Sequence, residues 1–210
     1  MEIYAFGSIM RGEIDELSDI DILVLKDIEE LIPNIDKEKY SIYTYQRILQ
    51  MWEEGNPFSW HLFSESKCLY HNNDNTNPFL ETLGKPSQYT NMVFDLHKFH
   101  TLFKESVNSI HKGYDSVDFD LSMIFLAIRN FASCFSLGYL KKNEFSRDAA
   151  IKIEKYSIDI DISIYNRLKE SRILATRGIG RSITDQELHI ILNQLPKIEK
   201  WFVKLLNFVE

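Results

Sequence analysis

Two short apolar segments near the start of the chain flank a polar stretch that begins with glycine and serine. Residues 2–6 (EIYAF) and 19–25 (DIDILVL) have the aliphatic, aromatic and β-branched composition of strands. Gly7 and Ser8 follow the first segment directly, and ten residues separate Ser8 from Asp19. The spacing predicts a strand, a turn at the Gly-Ser pair, and a second strand that opens with Asp19.

The residue types at these two places are those that bind phosphate and metal ions. A glycine and a serine just after a strand allow backbone N–H groups and a hydroxyl to approach phosphate oxygens closely. Because side chains alternate along a strand, Asp19 and Asp21 point to the same face, where each carboxylate raises the pKa of the other unless a cation lies between them. Mg²⁺ suits this pair, since it takes hard oxygen ligands from one or two carboxylates and from substrate phosphates.

The sequence pattern changes near residue 89. Residues 40–45 predict a third strand and residues 46–52 and 58–66 predict short helices, so the first part is expected to be a small mixed sheet with flanking helices, an α+β fold. Residues 71–88 are rich in Asn, Pro and Gly, which is typical of a connector. Beyond it, apolar residues recur at three- and four-residue spacing, which predicts an all-α bundle with helices at residues 91–112, 120–141, 147–155, 163–176 and 185–209.

Charge divides the chain at the same place. The 210 residues include 24 Lys+Arg and 31 Asp+Glu, a formal net charge of −7. Residues 1–90 contain 16 acids and 7 bases, whereas residues 91–210 contain 15 acids and 17 bases. We therefore predict two domains, residues 1–88 and residues 89–210.

Composition argues against several classes of protein. A broad basic surface for duplex nucleic acid is not expected at this net charge. Cys68 and Cys134 lie far apart without a Cys-x-x-Cys pair, which argues against a disulfide framework and a zinc module. The first residues lack the apolar core of a signal peptide, and no later apolar run approaches the ~20 residues of a membrane span. We expect a cytoplasmic protein with no membrane partner.

Residues 7–25, GSIMRGEIDELSDIDILVL, resemble the active-site motif of the DNA polymerase β-type nucleotidyltransferase superfamily, particularly its minimal nucleotidyltransferases. The resemblance rests on the whole order of strand, Gly-Ser, Arg-Gly, Ser-Asp-x-Asp and second strand. Residues 55–70 resemble the segment that closes many small nucleotidyltransferase domains, and within it Trp60 and His61 are expected to pack and to make structural hydrogen bonds. The helical part is similar, at fold level only, to kanamycin-nucleotidyltransferase C-terminal and HEPN-type bundles.

The resemblance implies a reaction and the residues that support it. In that family the serine contacts the triphosphate and both acids bind divalent metal, which carries over to Ser8, Asp19 and Asp21, with Mg²⁺ or Mn²⁺ as the ion. ATP is the expected donor: a hydroxyl of the acceptor attacks the α-phosphorus in line and pyrophosphate leaves. The predicted nucleotide-binding residues are Gly7, Ser8, Arg11 and Ser18.

The motif does not specify the acceptor. A small hydroxyl compound such as an aminoglycoside fits, and so does a hydroxyl on a partner protein, as in antitoxin-type relatives. The acidic first part would attract a polycationic aminoglycoside and repel tRNA. The sequence also leaves a homodimer open.

One acid of the family pattern is not evident in this chain. Active members normally have a third carboxylate, usually on the third strand, and residues 40–45 contain none. The candidates are Glu38, if that strand begins earlier, and Asp95, Glu105 and Asp120, if the helical domain supplies the acid. The predicted catalytic set is Asp19, Asp21 and Glu38. The alternative function is a catalytically silent nucleotide-binding module or an antitoxin-like regulatory module that acts through a partner protein.

Three other patterns are interpreted as structural. The acids of Asp159-Ile160-Asp161 are expected at a helix N-terminus, because no Gly-Ser strand precedes them and helical sequence follows. His97 and His100 lie three residues apart without an acidic or cysteine ligand on the same helix face, so they are expected to be packed or solvated. The glycines of Gly178-Ile179-Gly180 lack the strand-then-helix context of a dinucleotide site.

Overall fold

A computed structural model of the protein describes residues 1–13, 20–30, 40–72, 76–113 and 116–210. The chain forms two compact units, Met1–Thr90 and Asn91–Glu210. The first unit is α+β and the second is helical, as the sequence pattern predicted. The strands are β1 (Glu2–Phe6), β2 (Asp21–Lys26), β3 (Ser41–Thr44) and β4 (Ser66–His71). The α-helices are α1 (Tyr45–Glu53), α2 (Pro57–Glu65), α3 (Phe79–Thr82), α4 (Met92–Lys112), α5 (Val117–Phe135), α6 (Ala149–Lys152), α7 (Ile162–Arg177), α8 (Asp185–Leu192) and α9 (Leu195–Leu206).

The sheet of the first unit has the order β3-β2-β1-β4. β1 pairs antiparallel with β2 and with β4, and β3 joins β2 in parallel. β1 is therefore a central strand, and its last residue, Phe6, has a partner on each side. The register against β4 shifts between Ile3 and Tyr4, so one residue of β4 bulges there.

The core of the first unit lies on the sheet face that α1 and α2 cover. Alternation along the strands sends Tyr4, Phe6, Leu23 and Leu25 to this face. The residues packed against them come from the helices and are Ile48, Met51, Trp52, Leu62 and Leu80. In α1 the three apolar positions follow helical spacing, and the helix begins where Thr44 Oγ1 accepts a hydrogen bond from the Arg47 backbone N–H at 3.1 Å.

The stretch interpreted as a connector is instead part of the first unit. It contains α3, and Leu80 of that helix is only 6 % exposed within the core. The backbone N–H of Leu80 donates to the hydroxyl of Tyr4 at 3.2 Å, and Trp52 Nε1 donates to the Gly84 carbonyl at 3.0 Å. The prediction was wrong because a composition rich in Asn and Pro does not show the single apolar anchor that ties a short helix to a sheet.

The second unit is organised around α5, which packs against α4 and α7. The helical spacing of its apolar residues is confirmed, since the side chains that follow this spacing are at most 2 % exposed: Leu121, Ile124, Phe125, Ile128, Phe131 and Phe135. At its C-terminal half, Phe131 meets Phe202 of α9 edge-to-face with ring centroids 4.6 Å apart. α9 is tied in further by Trp201, whose Nε1 donates to the Tyr156 carbonyl at 2.7 Å.

Three boundaries in the second unit differ from or refine the sequence prediction. α5 continues as a π-helical turn, Ser136–Leu140. The long helix predicted over residues 185–209 is two helices, because Pro196 in the first turn of α9 has no N–H to continue a helix. The N-terminus of α8 has a capping box in which Thr184 and Glu187 exchange hydrogen bonds.

Among the described residues, one helical segment is long and apolar enough to cross a membrane by length and composition. It is Val117–Leu140, with a mean hydropathy of 1.4 and 78 % of its apolar window buried inside the protein. The sequence pattern had predicted no apolar run of this length. High burial is what the central helix of a folded helical unit requires, so the helix is weak evidence for a membrane span.

Gly55 and Gly84 provide a matched test of backbone packing in the first unit. Both have positive φ, +64° and +63°. A Cβ on Gly55 would fall 2.5 Å from the Ser87 carbonyl oxygen and closer still to that of Gln88, whereas a Cβ on Gly84 would meet nothing within 4 Å. We expect Gly84→Ala to lower the free energy of unfolding by about 1–2 kcal/mol through backbone strain alone.

Gly55→Ala is expected to lower the free energy of unfolding by about 1–3 kcal/mol more than Gly84→Ala does, because backbone atoms must move to admit the methyl group. Urea denaturation of the two variants and the wild type, followed by circular dichroism, measures the difference. Equal losses of unfolding free energy in the two variants would show that the backbone at residues 87–88 moves at little cost to admit the methyl group.

Candidate functional site

The end of β1 places the Gly-Ser turn between two neighbouring strands. Phe6 pairs with Asp21, the first residue of β2, and with Ser66, the first residue of β4. Neighbouring strands lie ~4.8 Å apart, so the termini of all three strands converge around the point where the chain leaves the sheet. Gly7 is the next residue, and the 3-10 turn Gly7–Arg11 begins there.

Gly7 lies directly beneath the carboxylate of Asp21. Its φ of +77° is in the left-handed region that favours glycine. A Cβ built on Gly7 would be 2.5 Å from Asp21 Oδ2. Only a residue without a side chain leaves Asp21 its observed position, so the structure brings together two of the residues predicted from the motif.

Ser8 has a buried hydroxyl that is not hydrogen-bonded. Its Oγ is inaccessible to solvent and has no hydrogen-bond partner among the described residues. The Ser8 carbonyl, in contrast, accepts from the Glu13 backbone N–H at 3.0 Å. Since buried polar atoms are nearly always paired, an unpaired one at a predicted phosphate site indicates a position prepared for a ligand.

Arg11, at the end of the same turn, is bound to acids. Its Nε donates to Glu13 Oε2 at 2.7 Å, and its Nη1 is ion-paired with Glu65 Oε2. Burial lowers the pKa of this guanidinium, but the hydrogen bond to Glu13 and the charge of Glu65 outweigh burial and raise the pKa above its ordinary value. The prediction that Arg11 binds nucleotide stays a prediction, while the geometry assigns its donors to two carboxylates.

Glu65 is an acid of this site that the sequence analysis did not consider. It is the last residue of α2 and precedes Ser66, the partner of Phe6. His61, one helical turn earlier, has its Nε2 2.9 Å from Glu65 Oε2 and its ring edge-on to Phe6 with centroids 5.6 Å apart. The signal for Glu65 was its place just before a strand, but β4 had not been predicted as a partner of β1.

The roles of six other predicted residues stay untested. Ser18, Asp19 and Glu38 fall outside the described residues. The other candidates for the third carboxylate, Asp95, Glu105 and Asp120, belong to the second unit, where Asp95 and Glu105 lie on α4 and Asp120 is buried in the first turn of α5. Their roles stay predictions.

Two of the remaining motifs occupy structural positions in the second unit. Asp161 is the N-cap of α7, as the interpretation of that acid pair predicted. His100 Nε2 lies 2.8 Å from Glu199 Oε1, and His97 Nε2 lies 2.7 Å from Glu210 Oε1. Both contacts join α4 to the C-terminal segment, which fits the expectation that these histidines are packed or solvated.

The group implied by the motif is a divalent metal with a triphosphate. Within the part of the chain that the structure describes, no cluster of three or more His, Cys, Asp or Glu residues could hold a metal ion. Asp21 nevertheless offers hard oxygen atoms beside Gly7, and Ser8 offers an unpaired hydroxyl in the same turn. These residues fit one carboxylate ligand and one phosphate contact.

Comparison with known proteins agrees with the site. Residues 1–75 match the family model "Polymerase beta, Nucleotidyltransferase". These residues are similar in sequence to polymerase beta-type nucleotidyltransferase domains, and they include the Gly-Ser turn and Asp21. The sequence has no match among curated proteins.

Among solved structures, the spectinomycin adenyltransferase AAD(9) from Enterococcus faecialis, crystallised with ATP and spectinomycin, is similar. The identity is 14 % over 96 % of this chain and 91 % of that one, with a TM-score of 0.48.

Ser8→Ala tests whether the unpaired hydroxyl in the first unit serves a ligand. A buried unsatisfied hydroxyl costs about 1–3 kcal/mol, so its removal is expected to leave the free energy of unfolding unchanged or to raise it. A hydrogen bond to a charged phosphate oxygen contributes about 1.5–3 kcal/mol, so triphosphate affinity is expected to fall about 10- to 150-fold. Calorimetric titration and urea denaturation measure the two effects.

Ser59→Ala is the control for Ser8→Ala. Ser59 is also buried in the first unit, but its Oγ donates to the Asn56 carbonyl at 2.7 Å. This variant should lose stability and keep triphosphate affinity. The same behaviour from Ser8→Ala would contradict a ligand role for Ser8.

Gly7→Ala is expected to displace the Asp21 carboxylate. Gly12→Ala, at the other end of the same turn, is its control, because Gly12 has φ +68° and open space where a Cβ would lie. Both variants bear similar backbone strain, and the Asp21 side chain can rotate away from a new methyl group at small cost. We therefore expect similar free energies of unfolding, but at least a tenfold loss of Mg²⁺-triphosphate affinity in Gly7→Ala alone. Comparable Mg²⁺-triphosphate affinities in the two variants would show that glycine at position 7 is not needed to place the Asp21 carboxylate for ligand binding.

Proposed function

We propose that this protein is a metal-dependent nucleotidyltransferase. It would transfer a nucleoside monophosphate, AMP from ATP, to a hydroxyl of an acceptor and release pyrophosphate. The proposal is carried by two features that lie next to each other in the chain. Gly7 leaves room for the Asp21 carboxylate, and the buried hydroxyl of Ser8 has no hydrogen-bond partner among the described residues. Both lie inside the region that matches the nucleotidyltransferase model.

The divalent metal would be held by Asp21 together with Asp19, the acid that precedes it by two residues in the sequence. When bound, the metal supplies positive charge to the attacking and leaving oxygens of an in-line displacement. The protein's own contribution is positional: Ser8 contacts the terminal phosphates, and Gly7 allows backbone and carboxylate to approach each other. Most of the rate enhancement in such reactions comes from orientation and fixed charge.

Glu65 is proposed as the third carboxylate of the site. Its backbone is fixed by the pairing of Ser66 with Phe6, on the side of β1 opposite Asp21. Its side chain is 11 % exposed, far below the usual exposure of glutamate. A carboxylate near the attacking hydroxyl can accept its proton, which typically contributes ~10²–10⁴-fold to the rate.

We propose a small, cationic hydroxyl compound as the acceptor. Residues 1–90 carry nine more acids than bases, which creates a negative potential that favours cationic ligands. A hydroxyl on a partner protein is the second acceptor to test. The same potential disfavours RNA and duplex DNA as acceptors.

The test is incubation of the purified protein with each α-labelled nucleoside triphosphate, Mg²⁺ and a panel of hydroxyl acceptors. Transfer of the α label to an acceptor supports nucleotidyl transfer and identifies the base and the acceptor class together. Transfer of a γ label instead would indicate phosphoryl transfer. Triphosphate binding without turnover would replace the enzyme with a silent nucleotide-binding module.

Asp21→Asn is predicted to reduce transfer at least 100-fold with little change in folding. Removing one ligand charge weakens a metal site, whereas relief of repulsion with Asp19 leaves the metal-free protein as stable or more stable. Asp27→Asn, at the other end of β2, removes an exposed acid and should retain wild-type transfer. Rates are measured at saturating Mg²⁺ and triphosphate. Near wild-type transfer by Asp21→Asn would refute the assignment of Asp21 as a metal ligand.

A further inference from the structure

One carboxylate oxygen of Glu65 is anchored twice. Glu65 Oε2 is ion-paired with Arg11 Nη1 and lies 2.9 Å from His61 Nε2. Glu65 Oε1 has no hydrogen-bond partner among the described residues. A carboxylate largely removed from water is stabilised by such donors. The arrangement therefore satisfies Oε2 twice and leaves Oε1 available.

The ring of His61 is itself held in place. It packs edge-on against Phe6 with centroids 5.6 Å apart and against Phe58 with centroids 6.4 Å apart. The His61 side chain is 13 % exposed. Contact with a carboxylate assigns the proton to Nε2, since an ionised carboxylate only accepts hydrogen bonds. Packing on two aromatic rings fixes the direction in which this proton points.

Arg11 is already bound to two carboxylates. Its guanidinium binds Glu13 through Nε and Glu65 through Nη1, so carboxylates face it along two directions. A phosphate that took over the donor bound to Glu65 would leave this mostly buried carboxylate underpaired, which is costly. The simplest use of Arg11 in this arrangement is to hold Glu65.

We infer that Arg11 and His61 are positioning residues that hold Glu65 through Oε2 and present Oε1 as the third carboxylate of the transfer site. This inference rests on the proposed function and makes it more specific. Arg11 acts through Glu65 and not on the nucleotide phosphates. His61 acts in the same way and does not touch the substrate.

The experiment compares Arg11→Gln and Arg11→Lys with the control Arg47→Gln. Arg47 is an exposed arginine that hydrogen-bonds Gln50 at 2.8 Å. We expect Arg11→Gln to lower kcat about 10- to 100-fold, the usual effect of losing a residue that orients a site group. Its Kd for triphosphate, measured by calorimetry, should change less than threefold. Arg11→Lys keeps the positive charge but lacks the planar guanidinium with its several donors, so its kcat should lie between those of Arg11→Gln and the wild type.

Two further comparisons separate positioning from simple structural support. His61→Phe keeps the aromatic packing and removes the donor, whereas His61→Gln keeps a donor at a similar reach; the first should lose kcat and the second should retain most of it. In a Glu65→Gln background, Arg11→Gln should reduce kcat by less than a further threefold, because both changes remove the same oriented carboxylate.

The inference is overturned if Arg11→Gln weakens triphosphate binding tenfold or more with kcat unchanged, or if its effect multiplies that of Glu65→Gln. Equal kcat values for His61→Phe and His61→Gln would overturn the role of His61. Wild-type turnover is measured first, and its absence would refute the proposed function separately. Calorimetry would then test the role of Arg11 by itself. Unchanged triphosphate affinity in Arg11→Gln would support the assignment of Arg11 to Glu65, and a tenfold loss of affinity would refute it.

Discussion

The double pairing of Phe6, with Asp21 on one side and Ser66 on the other, controls what the first unit presents at this edge of its sheet. A shift of either register by one residue would turn the neighbouring side chains to the opposite face. The apolar residues that follow Asp21 and precede Phe6 prevent such a shift, because they would leave the core. Packing in the interior thus fixes the position of a carboxylate at the rim.

The sequence allowed the strands on either side of the Gly-Ser turn to be predicted better than their long-range pairing. The strand before Gly7 and the strand that contains Asp21 have clear apolar patterns, so their order and the position of the turn between them followed from local signals. Glu65 did not follow from such signals, because its closeness to Arg11 depends on β4 returning to pair with β1 across more than fifty residues of chain. Long-range strand pairing has no periodicity of its own in a single sequence.

The helical unit shows the same division between local and distant information. The apolar face of α5 was predictable residue by residue, because burial on several sides leaves few polar positions. The break between α8 and α9 was not predicted, although Pro196 stands in the sequence there. Apolar residues continue at helical spacing across the break, and this pattern conceals the effect of the N–H that proline lacks. The packed role of Leu80 was missed for the opposite reason, because one apolar residue in a polar stretch gives no period at all.

The buried hydroxyl of Ser8 also has an evolutionary consequence. Its side chain lowers the stability of the protein without a ligand, while a phosphate oxygen in the same place would satisfy it. Selection for stability and selection for binding therefore act in opposite directions at this one position. In a lineage that no longer needed the ligand, selection for stability would favour alanine over serine at this position.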